Sequence, residues 1–213
     1  MPKRTLALTT ILLGILATVV LPGCTHMPMP VQNDQLHRTY FTRYTIRGTQ
    51  DGLVKRLYNS NYLGSGDVIP IGKKVTIEFY SREWIMLTVD GIPCKMYPTD
   101  LPFPTDNAGV QNFLGKHFAN SESELRLDIL KESSRRNIEN GQAALGMTKE
   151  EVLLANGYPV MIDAKVPAAP LDRNRIQQSN QWIYYDWNPV VWFPVERVYQ
   201  FNRETGQLIN VIK

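Results

Sequence analysis

Cysteine and histidine are both scarce in this chain, whose 213 residues hold two of the first and three of the second. His26, His37 and His117 lie far apart and share no metal-ligand spacing, so neither a metal nor any other cofactor is expected. No G-x-S-x-G elbow marks a nucleophile. Gly64-x-Gly66 lacks both the third glycine and the following helix of a phosphate cradle. A charge excess of one sign is missing as well. The formal net charge is +3, and Lys3 and Arg4 at the extreme N-terminus account for two of those charges. That leaves no electrostatic footprint for nucleic acid. The main routes to enzymatic chemistry are therefore absent, and a non-enzymatic role is predicted. What is present, 43% hydrophobic and 20% charged residues, is ordinary globular composition and excludes a collagen, a coiled coil or a disordered acidic tail.

The strongest positive signal is the leader. Lys3 and Arg4 precede an apolar run from Leu6 to Leu21, interrupted only by threonines and Gly14. This is the layout of a secretory signal, and it falls short of the roughly 20 residues that cross a bilayer comfortably. Leu21-Pro22-Gly23-Cys24 resembles the bacterial lipobox L-x-G-C. That resemblance implies that residues 1–23 are removed and that Cys24 becomes the lipidated first residue. Several acyl chains at about 0.8 kcal/mol per buried methylene make such an anchor durable. Thr25, rather than Asp, follows the cysteine. By the same resemblance this favours the outer membrane, with the body facing the periplasm. Cys94 is then left without an intramolecular partner. It reads as a small buried hydrophobe, or as a catalytic thiol with no marked helper.

Residues 24–44 are polar and Pro-containing at their start and read as a tether. From 45 to 100 the text is strand-like. Lys74–Tyr80 alternates Val75, Ile77 and Phe79 against Thr76 and Glu78, and Asp90-Gly91 marks a hairpin turn. Val68-Ile69-Pro70-Ile71-Gly72 ahead of a strand resembles bacterial SH3-type modules. After a Pro-rich boundary, helices are predicted over 110–118 and about 121–140, the second with Ser121 and Glu124 spaced as a capping box, although Leu125–Ile129 equally fits the alternation of a strand. Thr148 and Glu151 form a stronger box, with Met147 and Val152 as its apolar staple and Gly157 and Pro159 as the stop. Strands are expected over 181–187, 195–201 and 207–212, and the stretch from Ala164 to Asn180 reads as a polar loop.

Gly146-Met147-Thr148 with Glu151-Val152, Gly157-x-Pro159, Trp182-x-Tyr184 and Phe201 to Gly206-x-Leu208 together resemble the SmpA/OmlA (BamE-type) outer-membrane lipoproteins. The match covers about Ile138 to Ile212. It implies two helices packed on a three-stranded antiparallel sheet, no catalytic centre, and a periplasmic role with a protein partner at the β-barrel assembly machinery. The expected fold class is thus α+β: a small SH3-like β module over 45–100, then a BamE-like domain over 101–213.

Two surface features are candidate sites. Trp187, Trp192 and Phe193 lie in an unusually apolar connection between strands. They read either as sheet cover or as an anchor for a partner protein, since interface hot spots are rich in Trp and Tyr. Trp182 is expected in the core. Arg173 and Arg175 are candidates for anionic lipid headgroups. An alternative function is binding of cell-wall peptidoglycan or peptide through the SH3-like module.

Overall fold

In a computed structural model of the chain, the described residues are 31, 33–58, 62–63, 66–98, 102–163, 166–168, 171–188 and 193–212. They form a mostly-sheet fold. Sheet 1 has eight strands: β1 (Thr39–Thr42), β2 (Ile46–Asp51), β3 (Val54–Tyr58), β5 (Asp67–Ile69), β6 (Lys74–Tyr80), β7 (Ile85–Val89), β8 (Ile92–Tyr97) and β9 (Phe118–Ala119). Their spatial order is β5-β2-β3-β8-β7-β6-β1-β9, curled into a half-barrel. Every pairing is antiparallel except β3 with β8. Sheet 2 runs β11 (Val166–Pro167), β10 (Met161–Ile162), β12 (Gln181–Asn188), β13 (Phe193–Phe201), β14 (Leu208–Ile212). A sixth strand, β4 (Tyr62–Leu63), leaves the first half of the chain to pair in parallel with β12 at Tyr185 and Asp186.

This architecture corrects the expected fold class. The chain does not place two helices on a three-stranded sheet behind a separate SH3-like module. The reasons are short strands and distant partners. Strands β10 and β11 have two residues each, too few to show a period, and β4 enters sheet 2 from far away in sequence. Thr39–Thr42, assigned to the tether on sequence, is a strand that buries Tyr40 and Thr42 between β6 and β9. Phe118–Ala119 carries sheet 1 beyond residue 100. The helix predicted over 121–140 breaks into two 3-10 turns, Glu122–Leu125 and Leu127–Ile129, around Arg126 at φ 50°. A left-handed residue cannot continue a right-handed helix, and Ser121 makes no side-chain cap. Only Glu132–Glu139 (α2) remains α-helical there.

Helix α1 (Asn107–His117) buries Val110, Phe113, Leu114 and His117, the i, i+3, i+4, i+7 stripe of an amphipathic helix. Its ring at Phe113 meets Tyr80 and Phe103 on the inner side of sheet 1. Helix α3 (Lys149–Asn156) opens on a complete capping box: Thr148 Oγ1 accepts from the Glu151 amide at 3.2 Å, and the Glu151 carboxylate accepts from the Thr148 amide at 2.7 Å. Thr148→Ala should therefore lower stability by about 1 kcal/mol, read as a shifted denaturant midpoint. The helix ends at Gly157, whose φ of 72° with ψ of −165° turns the chain out extended rather than into a left-handed cap. Inside the stretch read as a loop, Asp172 caps a short helix α4 (Arg173–Gln178) by accepting from the Arg175 amide at 2.8 Å.

One continuous core runs through both sheets. The segment Thr42–Thr45 joins them. Thr42 Oγ1 donates to Pro70 O at 2.9 Å, the Thr45 amide donates to Leu154 O at 2.9 Å, and Thr45 Oγ1 donates to Ile138 O at 2.5 Å. Sheet 1 is thereby tied to helices α2 and α3, which lie with sheet 2.

Candidate functional site

The outward face of sheet 1 carries the main concentration of chemistry on the surface. An antiparallel strand with one wet face alternates polar with apolar residues. Here a β-bulge between Ile77 and Phe79 resets that alternation, so Tyr80 turns inward and is fully buried while Phe79 turns outward. The pattern read from sequence, with Phe79 beside Val75 and Ile77 on the inner face, is thus inverted at its end. Phe79 pairs with Met86, Met86 with Lys95, and Lys95 with Arg56, giving one outward row across β6, β7, β8 and β3. Beside it, Trp84 stacks on Phe79 at 4.3 Å between ring centroids and 26° between planes. Tyr97 and Tyr58 lie opposite each other, 6.2 Å apart.

The cations are interleaved with these rings. Lys95 Nζ sits 4.3 Å from the Trp84 centroid and 5.1 Å from that of Tyr97, and the Arg56 guanidinium lies 5.4 Å from Tyr97. Cations in this position are held by the ring quadrupole, with about 0.5–2 kcal/mol per contact depending on desolvation. Arg56 also pairs with Asp51 at 2.5 Å. Lys95 makes no ion pair among the described residues. All seven side chains of the group are half-buried.

The reactive side chains, by contrast, point into the core. Cys94 is fully buried on β8, and burial pushes its thiol up to about 11, so it stays protonated at neutral pH. The Tyr44 hydroxyl contacts His117 Nδ1 within a cage of Phe113, Phe118 and Tyr158. Burial, aided by the Lys116 charge, holds the His117 imidazole well below its usual range, and burial raises Tyr44. Both are neutral near pH 7, so the contact is a hydrogen bond between uncharged groups whose direction is set by the imidazole tautomer. Lys116 lies over the Tyr158 ring at 4.4 Å and donates to Ala168 O at 3.3 Å; burial lowers it to about 8. Among the described residues, no group of three His, Cys, Asp or Glu side chains could hold a metal ion.

The residues singled out from sequence are dispersed. Cys24 and Trp192 lie outside the described residues. The backbones of Trp187 and Phe193 close the β12–β13 hairpin, where Trp187 pairs with Pro194 and Asn188 with Phe193. Arg173 is committed within the fold: it pairs with Glu150, which also accepts from Gln177, and it hydrogen-bonds Tyr158. Arg175, two residues on, is exposed. Trp182 is fully buried and its indole N–H donates to Ile176 O at 3.0 Å.

No known protein family, curated protein or solved structure matches this chain. Its site has to be read from its own geometry. The signal for the outward row was present in the sequence as Phe79, Trp84 and Tyr97 near Lys95. It became a site only once the bulge and the parallel β3–β8 pairing placed those residues side by side.

Proposed function

We propose that this chain is a non-enzymatic envelope lipoprotein, anchored through Cys24 in the outer membrane and facing the periplasm, whose folded part serves as a binding scaffold. The observation that carries the binding role is the outward aromatic and cationic row of sheet 1, set on a rigid sheet while Cys94, Tyr44 and His117 are packed inside. The leader and the L-x-G-C motif support the anchor. The C-terminal resemblance also implied a partner in the β-barrel assembly machinery. The fold that accompanied it is not formed, so the reading retains the scaffold role without that partner. A pull-down enriched in barrel-assembly subunits would restore it.

The anchor is tested by metabolic labelling with a fatty acid in the producing bacterium. Wild-type protein should take up label, and Cys24→Ala should remain an unlabelled precursor of full length. Label retained on Cys24→Ala would remove the lipoprotein assignment.

A further inference from the structure

We propose that the cage around His117 is an acid-operated joint: a single proton taken up there loosens the seam between the two sheets while each sheet keeps its own ladder.

The cage is closed by residues from both sides of the molecule. Phe113 and His117 come from α1, and Phe118 from β9, which belongs to sheet 1. Tyr44 comes from the segment that joins the sheets, and Tyr158 from the turn after α3, which lies with sheet 2. Tyr44 is the meeting point. Its hydroxyl contacts His117 Nδ1, and its ring lies edge-on to Tyr158 at 6.1 Å between centroids. The His117 ring is also 6.1 Å from that of Tyr158. The backbone on either side of Tyr44 grips the two halves separately. The Arg43 amide donates to His117 O at 3.2 Å, and the Thr45 amide donates to Leu154 O at 2.9 Å. Neither bond belongs to a strand ladder, so opening the cage between Tyr44 and Tyr158 can break both without unpairing a strand.

The charges around the ring oppose protonation while the cage is closed. Lys116 presents an ammonium from the same helix, half-buried over the Tyr158 ring. Arg43, on the joining segment, pairs with Glu124 at 2.9 Å, and Arg173 of α4 hydrogen-bonds Tyr158 and pairs with Glu150. Both carboxylates are thus engaged by arginines. Tyr44 and Tyr158 are neutral, with pKa values raised by burial. An imidazolium here is a buried cation beside another cation, a strain relieved by admitting water. Burial and Lys116 accordingly hold the closed-state imidazole well below its ordinary range. Opened to water, the ring regains that range, near about 6.5. Each pH unit below it favours the open joint by up to about tenfold, and above it the joint stays shut.

The test is amide hydrogen exchange of the full-length protein, solubilised in detergent and followed by NMR across the range where imidazole titrates. Rates are expressed as protection factors, which removes the intrinsic pH dependence of exchange. Below about pH 6.5 the Arg43 and Thr45 amides should lose up to about tenfold protection per pH unit. They should also exchange faster than the amides of the β6–β7 and β12–β13 ladders, and low urea should not speed them, because a local opening exposes little surface. In His117→Asn the acid-dependent loss should vanish. If that variant does not fold, the His117 ring resonances of the wild type decide: they should change only as the two amides lose protection. Four results would each overturn the proposal. They are no acid-dependent loss at Arg43 and Thr45, exchange there with the same rate and urea dependence as the ladders, the same loss in His117→Asn, and a His117 ring that titrates near about 6.5 with the seam still protected.

Discussion

Trp182→Ala should destabilise the fold by about 3–5 kcal/mol, the usual cost of deleting a buried tryptophan through lost transfer energy and the cavity left behind. The indole is fully buried, 4.5 Å from the Phe201 ring between centroids, and pairs across strands with Tyr199 and Ile162. Truncation also removes the donor to Ile176 O, the residue by which helix α4 is seated in the core. Against a typical stability of about 5–15 kcal/mol, this is a fifth or more of the total. Equilibrium unfolding in urea reads it directly. Trp84, half-buried on the outer face, should cost only about 1 kcal/mol on the same assay. A loss for Trp84→Ala as large as that for Trp182→Ala would show that the outward row is a second core rather than a surface.

Acidification should weaken the fold before any carboxylate is protonated. His117 has a folded-state pKa well below 6.5 because it is buried and faces Lys116. As pH falls through about 6.5 the unfolded chain takes up a proton that the folded chain refuses. The associated stability is thus complete above that pH and lost below it, by up to about 1.4 kcal/mol per pH unit for one site. The loss should therefore grow steadily as pH falls from 7 to 5. Asp67, Asp90 and Glu151, whose pKa values are lowered by Lys55, by Lys73, and by Ser134 and Thr148, add losses of the same sign only at lower pH. His117→Asn keeps an acceptor for the Tyr44 hydroxyl but has no imidazole to protonate. Its overall stability should fall, since a ring leaves the aromatic cage, while its slope between pH 7 and 5 flattens. An unchanged slope in the variant would place the acid-sensitive group elsewhere.

The parts of the fold that could be read from sequence are those encoded by neighbouring residues. Asp90 at φ 49° and Gly91 at φ 80° form the tight two-residue turn between β7 and β8 that the dipeptide announces. The Thr148–Glu151 box starts a helix where expected, and Asn202 Oδ1 accepts from the Glu204 and Thr205 amides in the turn before β14. The longer C-terminal strands, 181–188, 193–201 and 208–212, lie close to where they were expected. What could not be read depends on partners distant in the chain. Nothing around Tyr62–Leu63 announces a strand, since that strand exists only beside β12. Thr39–Thr42 has four residues and takes its order from β6 and β9. The candidate row was hidden for a third reason: one extra residue at Glu78 moves Phe79 from one face of the sheet to the other, and no period-2 count anticipates an insertion.

The strand at Tyr62–Leu63 has a meaning in time as well as in space. A chain is made from its N-terminus, so this segment exists long before Tyr185 and Asp186, the positions it pairs with. The parallel β3–β8 pairing imposes a shorter wait of the same kind, from Val54–Tyr58 until Ile92–Tyr97 is complete. Distant pairings must meet their loop-closure cost before contacts repay it, and such topologies fold in milliseconds to seconds rather than microseconds. Sheet 1 draws its ladder from residues 39–119, but the β4–β12 pairing also needs Tyr185 and Asp186, near the far end of the chain. The pairing is thus a splice: a piece of the first half lies as a strand in the sheet of the second, so sheet 2 is complete only when both halves are in place.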